Sequence, residues 1–201
     1  MPKYMRYSHD QLDQFSPKEL SEIIVDFISS NKNSDDKYTP KNIGYIQMLL
    51  DAGADLLVDP QSGYALLNSI IGIQDLNWAK YFLNMGLDPN SWSNSQGIYR
   101  YSILHKVAEE GEGYLHMLEL LLLAGANPNI LEPFDGGTPL HSAANSLSEN
   151  GMNLLITYGA DPYIQDFDGS TAWDVLDRRE FEYDERQLDR GDPENFDAYL
   201  D

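Results

Sequence analysis

The sequence of 201 residues contains no cysteine. This absence excludes disulfide bonds, zinc sites held by thiolates and thiol nucleophiles, and it is compatible with a reducing compartment. Long apolar runs are missing too: no stretch approaches 18 uninterrupted apolar residues, and residues 1–14 contain no apolar segment of the kind found in secretory signals. We therefore expect a soluble, cytoplasmic protein.

Basic residues are few. The chain has 13 Lys and Arg against 33 Asp and Glu, a formal net charge of −20. Such a surface repels nucleic-acid phosphates and anionic membranes, so it favours a basic protein partner. Half of the net charge lies in residues 161–201, where 14 acidic residues stand against 4 basic ones. The 42% of hydrophobic residues are enough for one sizeable core.

Sequence motifs of catalysis are absent as well. The chain has no G-x-x-x-x-G-K-[ST], no H-E-x-x-H, no G-x-S-x-G and no G-x-G-x-x-G after a strand pattern. His9 and His116 are isolated, and Asp166 and Asp168 flank a turn, so a metal site built from these two alone would be weak. We expect no enzymatic activity, no cofactor and no metal.

One short phrase recurs along the chain. It begins at Gly53, Gly86, Gly125 and Gly159, at intervals of 33, 39 and 34 residues, and reads Gly-Ala/Leu-Asp/Asn, mostly followed by Pro. An amphipathic run rich in leucine precedes each glycine. Apolar residues three and four apart, followed by Gly, predict a helix with a left-handed C-terminal cap.

A second phrase lies downstream of each glycine. Its clearest copy is Thr138 to Ala144, where a threonine and a proline predict the start of a helix. The turn dipeptides Asp135-Gly136 and Asp168-Gly169 come just before two of these starts. The repeating unit is therefore a helix, a reversal, a second helix and an extended loop.

Residues 138–144 read T-P-L-H-S-A-A, and the whole unit resembles the ankyrin repeat, whose signature contains T-P-L-H-x-A. The resemblance covers about residues 40–178, with degenerate copies at Ala65–Asn68 and Ser102–His105. It implies an all-α ankyrin-repeat solenoid with extended loop fingers. It also implies that His105 and His141 are structural imidazoles that bridge neighbouring repeats by hydrogen bonds.

The expected organisation is a lead-in at 1–15, an array at 16–178 and an acidic tail or cap at 179–201. The array divides into about four repeats and a partial fifth, at 16–53, 54–86, 87–125, 126–159 and 160–178. Its first helix has a capping-box start at Ser16–Glu19, followed by Leu20, Ile23, Ile24, Phe27 and Ile28 on one face. The tail is either solvated or packed on the array, and it carries Phe181, Tyr183, Leu188, Phe196, Tyr199 and Leu200.

Aromatic and apolar residues in the inter-repeat loops are the candidate partner contacts. The loop from Gly86 to Ser102 is four residues longer than that from Gly159 to Thr171. Its Trp92 is either exposed for recognition or folded back onto the array, whereas Trp173, equivalent to Leu140, is expected in the core. The full set of predicted contacts is Leu57, Trp92, Tyr99, Tyr101, Phe134, Tyr163, Phe167, Glu109, Glu110 and Glu112.

Ankyrin arrays are recognition scaffolds, so the resemblance implies a non-catalytic protein-binding module. The most concrete expectation is an acidic inhibitor, such as an immunity protein or antitoxin, that blocks a basic toxin or nuclease; its short length without a visible appended domain fits that role. We expect it to be a monomer before it binds. The alternatives are an adaptor or host-directed effector that recruits a cellular protein and, from another class, an enzyme with an atypical carboxylate or metal site.

Overall fold

The computed structural model describes residues 7–30, 38–56, 60–92 and 101–189. Extended structure within these ranges is limited to one antiparallel bridge between Trp92 and Ser102, so the expected all-α architecture is confirmed. None of the helices in these ranges is long and apolar enough to cross a membrane. The helices are α1 (Pro17–Ser30), α2 (Pro40–Asp51), α3 (Pro60–Ile73), α4 (Leu76–Asn84), α5 (Ile103–Glu109), α6 (Leu115–Leu123), α7 (Pro139–Asn145), α8 (Glu149–Thr157) and α9 (Ala172–Asp189).

The helices form pairs, and the pairs stack along one direction. The inner helices α1, α3, α5, α7 and α9 each pack on the next, while α4, α6 and α8 do the same in an outer layer. Each repeat therefore contacts mainly its neighbours, which is the architecture of a solenoid. The core runs along the stack between the two layers and includes the fully buried Leu66, Leu104, Leu140 and Leu155.

The recurring glycines follow the ends of α2, α4, α6 and α8, as predicted. All four have φ between 93° and 103°, a left-handed conformation that side chains with a Cβ disfavour. The amide of the following residue then donates back across the last turn, as in Ala126 N to Leu121 O at 3.0 Å. This bond satisfies a carbonyl that the helix end would leave free.

Asparagines of the recurring phrase join one repeat to the next. Asn129 Nδ2 donates to Gly159 O at 2.9 Å, and its Oδ1 accepts from Asp161 N at 2.7 Å. Asn90 makes the equivalent pair of bonds with Gly125 and Asn127. These side chains hold neighbouring loops at one spacing, so the register of the stack is set by hydrogen bonds as well as by the core.

Helix starts also agree with the sequence. Ser16 N donates to Glu19 Oε2 at 2.8 Å while Glu19 N donates to Ser16 Oγ at 3.3 Å, which is the predicted capping box. In the second repeat the inner helix α3 begins at Pro60, five residues before the degenerate phrase at Ala65. The helix α3 therefore occupies part of the segment where other repeats have a loop. Pro60 is compatible with this start, because proline at the first helical position loses no hydrogen bond.

Two expectations near the end of the array were wrong. Trp173 is 43% exposed, whereas the equivalent Leu140 is fully buried. Leu140 lies on α7 between two inner helices, but α9 packs on α7 and has no further inner helix on its other side in the described ranges. The boundary expected at residue 178 is crossed by α9, which continues to Asp189.

The described part of the acidic tail does not cap the array with its aromatic residues. Phe181 and Tyr183 are 64% and 51% exposed, whereas Val175 and Leu176 make the buried contact of α9. Arg179 adds a bond from Nε to Asn145 O at 3.0 Å. The Leu188 side chain and residues 190–201, with Phe196, Tyr199 and Leu200, lie outside the described residues.

Candidate partner-binding face

Both signature histidines bridge neighbouring repeats, as the resemblance implied. His141 Nδ1 meets Thr138 Oγ1 at 2.8 Å, and its Nε2 meets Ser170 O at 3.1 Å. His105 repeats the pattern with Ser102 Oγ at 2.7 Å and Gly137 O at 3.1 Å. A carbonyl only accepts hydrogen bonds, so Nε2 carries the proton in both rings. Burial lowers the pKa of His105 and favours its neutral form. These histidines therefore serve the fold.

Acidic side chains shape the loops beside the inner helices. Asp135 Oδ1 accepts from Gly137 N at 2.8 Å, and Asp166 Oδ1 accepts from the amides of Asp168 and Ser170. The two loops also contact each other, because Phe167 N donates to Asp135 O at 2.7 Å. Together the loops 131–137 and 163–170 and the inner helices α5, α7 and α9 form the surface that we call the finger face.

The predicted aromatic contacts divide into two groups. Phe134, Tyr163 and Phe167 are 67%, 82% and 70% exposed. Trp92 and Tyr101 are half-buried, and the Trp92 ring lies 6.2 Å from the His105 ring, so the tryptophan is folded back onto the array. The remaining two predictions, Tyr99 and Leu57, fall outside the described residues.

The three predicted glutamates go to three different places. Glu110 pairs with Lys106 at 3.9 Å on the exposed side of α5. Glu112 accepts from Ser148 Oγ at 2.9 Å and from both the amide and the side chain of Asn150. These bonds, led by the Asn150 side chain, lower its pKa and place a carboxylate at the start of α8. Only Glu109 reaches the finger face.

A pocket of about 210 Å³ opens on the finger face. Glu109 reaches it from α5, Glu132 and Asp135 from one loop, and Asp166 from the next. Tyr101 and Arg178 also line it. Four acidic residues and one arginine therefore line this pocket. No group of three or more residues that could hold a metal ion occurs in the described ranges.

Glu132 is the most perturbed acid in this pocket. Its side chain is only 5% exposed, and its Oε1 has no hydrogen-bond partner among the described residues. Burial, and then the charge and hydrogen bond of Asp135 and the charge of Glu109, raises its pKa to about 7. The burial of Glu132 could not be predicted from the sequence, because nothing in Leu131-Glu132-Pro133 distinguishes a buried loop acid from an exposed one.

Comparison with known proteins agrees with the repeat geometry. Residues 71–166 match a family model described as ankyrin repeats in three copies. This segment belongs to the ankyrin-repeat family. The chain is 32% identical over 118 residues to a protein of Rickettsia bellii (strain RML369-C) named as an ankyrin repeat protein, a match covering 58% of this chain and 33% of the relative.

Two other relatives are much longer proteins. Protein phosphatase 1 regulatory subunit 12A of Mus musculus is 36% identical over 97 residues, which are 45% of this chain and 9% of the relative. The 2-5A-dependent ribonuclease of Homo sapiens is 40% identical over 57 residues, 28% of this chain and 8% of the relative. The chain thus spans a third or less of the length of these relatives. Ankyrin repeats are protein-interaction modules, so the family shows the broad class of this chain.

Proposed function

We propose that this ankyrin chain is a non-catalytic module that binds a basic protein through its finger face. The observation that carries the proposal is the juxtaposition on one surface of exposed aromatic rings and an acidic pocket. Phe134 and Phe167 lie on the two loops joined by the Asp135–Phe167 hydrogen bond, and Asp135 itself lines the pocket. Aromatic contacts dominate interface energies, whereas charge complementarity steers association.

The finer form of the proposal is an acidic inhibitor, such as an immunity protein or antitoxin, that covers the active site of a basic toxin or nuclease. The net charge of −20 supports it, since nucleases bind phosphates with basic clefts and an acidic surface complements such a cleft. In this role the chain acts stoichiometrically and needs no catalytic residue of its own.

An adaptor or host-directed effector is the second candidate. It is favoured by the similarity to a protein named as a phosphatase regulatory subunit. The two roles differ in what binding does to the partner. An inhibitor abolishes the partner's activity when the two proteins are mixed one to one, whereas an adaptor leaves that activity in place.

The test is capture of partners by the immobilised full chain from cells of its source, at about 50 mM and about 300 mM salt. We expect a basic protein whose association slows as salt screens the exposed charges. Combining Phe134→Ala and Phe167→Ala should weaken its binding by at least about 30-fold if these rings are hot spots.

The matched control is Leu123→Ala, an exposed apolar residue at the end of the outer helix α6, which should leave affinity unchanged. An acidic partner, an association rate indifferent to salt, or full affinity in the double variant would contradict the proposal.

A further inference from the structure

The pocket contains a hydrogen-bonding requirement that the described residues do not meet. Glu132 is 95% buried, being 5% exposed, yet Oε1 receives no hydrogen bond from them. A buried acceptor without a donor costs about 1–3 kcal/mol relative to one that is paired. Oε1 itself is closed to solvent, but Glu132 lines an open pocket, so a turn of its side chain would bring Oε1 to a donor held there.

The surrounding charges select the sign of that donor. Glu109, Asp135 and Asp166 line the pocket from three different segments, against Arg178 alone. The ring nitrogens of His141, which also faces the pocket, are both engaged with Thr138 and Ser170. Even with Glu132 neutral, three carboxylates outweigh one guanidinium, so the pocket attracts a cation and repels an anion.

The size and lining of the pocket select the kind of cation. About 210 Å³ is several times the ≈ 30 Å³ that one water occupies in the liquid, so the space suits a side chain better than a bare ion. A guanidinium offers five donors in a plane and also stacks on aromatic rings. Acidic residues on several sides of the pocket match the donors, and Tyr101 in its lining matches the stacking.

We propose that this pocket receives an arginine side chain of the partner protein, whose guanidinium donates to Glu132, Glu109 and Asp135. The inference rests on the proposed function and specifies the chemistry that the finger face recognises.

Binding of this arginine is coupled to a proton. A guanidinium against Glu132 favours the carboxylate, so Glu132 releases its proton when the pocket fills. With a pKa of about 7, roughly a tenth of the free sites are ionised at about pH 6 and nine-tenths at about pH 8. The apparent affinity should therefore be about tenfold weaker at the lower pH.

The test is an NMR titration of the full chain with Nα-acetyl-arginine methylamide, with the lysine and alanine analogues in parallel. We expect amide shifts concentrated at residues 132–137, a dissociation constant about tenfold larger at about pH 6 than at about pH 8, and weaker binding of both analogues. Glu132→Gln should weaken binding at about pH 8 by at least about tenfold and remove the pH dependence. The control is Glu119→Gln, which removes the same charge from α6 outside the pocket. It should change neither the affinity for the probe nor its pH dependence.

Shifts spread evenly over acidic surfaces, unaltered binding by Glu132→Gln, or equal binding of the lysine analogue would overturn the arginine pocket. The probe experiment does not depend on the partner. Suppose that the arginine probe does not bind, while a captured basic protein binds the parent chain and binds the phenylalanine double variant more weakly. The proposed function then stands and the pocket assignment falls. If the probe binds as expected but no basic protein is captured, the pocket assignment stands and the proposed function falls.

Discussion

Replacing Glu132 by glutamine should make this protein more stable, and the gain should be largest at neutral to alkaline pH. The pKa of Glu132 is about 7 in the folded chain, against 4.5 as its ordinary value. Between these values the folded state binds the proton more tightly than the unfolded state, so stability is lost as pH rises through this window and is fully lost above it. Glutamine cannot ionise, and it escapes this loss.

The size of the effect follows from the pKa difference. Integrating from 4.5 to about 7 gives an upper limit of about 3 kcal/mol at about pH 8, but only about 1 kcal/mol at about pH 5. For a chain of 201 residues the larger value corresponds to a rise in melting temperature of roughly 6–12 °C.

The measurement is thermal unfolding followed by the helical circular-dichroism signal at both pH values. Glu119→Gln is the control, because Glu119 is exposed on the outer helix α6 and its replacement should produce no such pH-dependent gain. A Glu132→Gln protein that is no more stable than the parent at about pH 8, or equally stabilised at both pH values, would refute the reasoning. Because the same change should weaken arginine binding, stability and recognition should move in opposite directions.

Two further predictions concern the ends of helices and of the array. Leu140→Ala should lower the free energy of unfolding by about 3–5 kcal/mol, because it truncates a core side chain. Trp173→Ala should lower it by only about 1–2 kcal/mol, because the indole is 43% exposed. Equal losses in denaturant melts would show that Trp173 is a core residue. Glu112→Ala removes the acceptor at the start of α8 and should cost about 1 kcal/mol, an effect that fades as pH falls through the lowered pKa. Glu110→Ala, which loses only an exposed ion pair, should cost less than half of that in the same melts.

Local chemistry explains which features were predictable. Gly125 ends a helix because only glycine adopts its φ of 93° without strain, and Thr138 with Pro139 starts one because of their own capping properties. The bridging role of His141 follows from a motif whose partners recur at one spacing. In each of these cases the residue and its immediate neighbours contain the physical reason.

The sequence by itself therefore determined the repeat, the helix boundaries at the glycines, the structural histidines and the acidic character of the surface. Only the tertiary structure decided which loop residues are exposed and which acids meet. Trp92 and Phe134 both lie in polar loops, yet the first folds back toward His105 and the second is 67% exposed. Glu109, Glu132 and Asp166 are distant in sequence and share one pocket only after the repeats stack. Burial and charge in that pocket are sums over several repeats, and no single segment of the chain contains them.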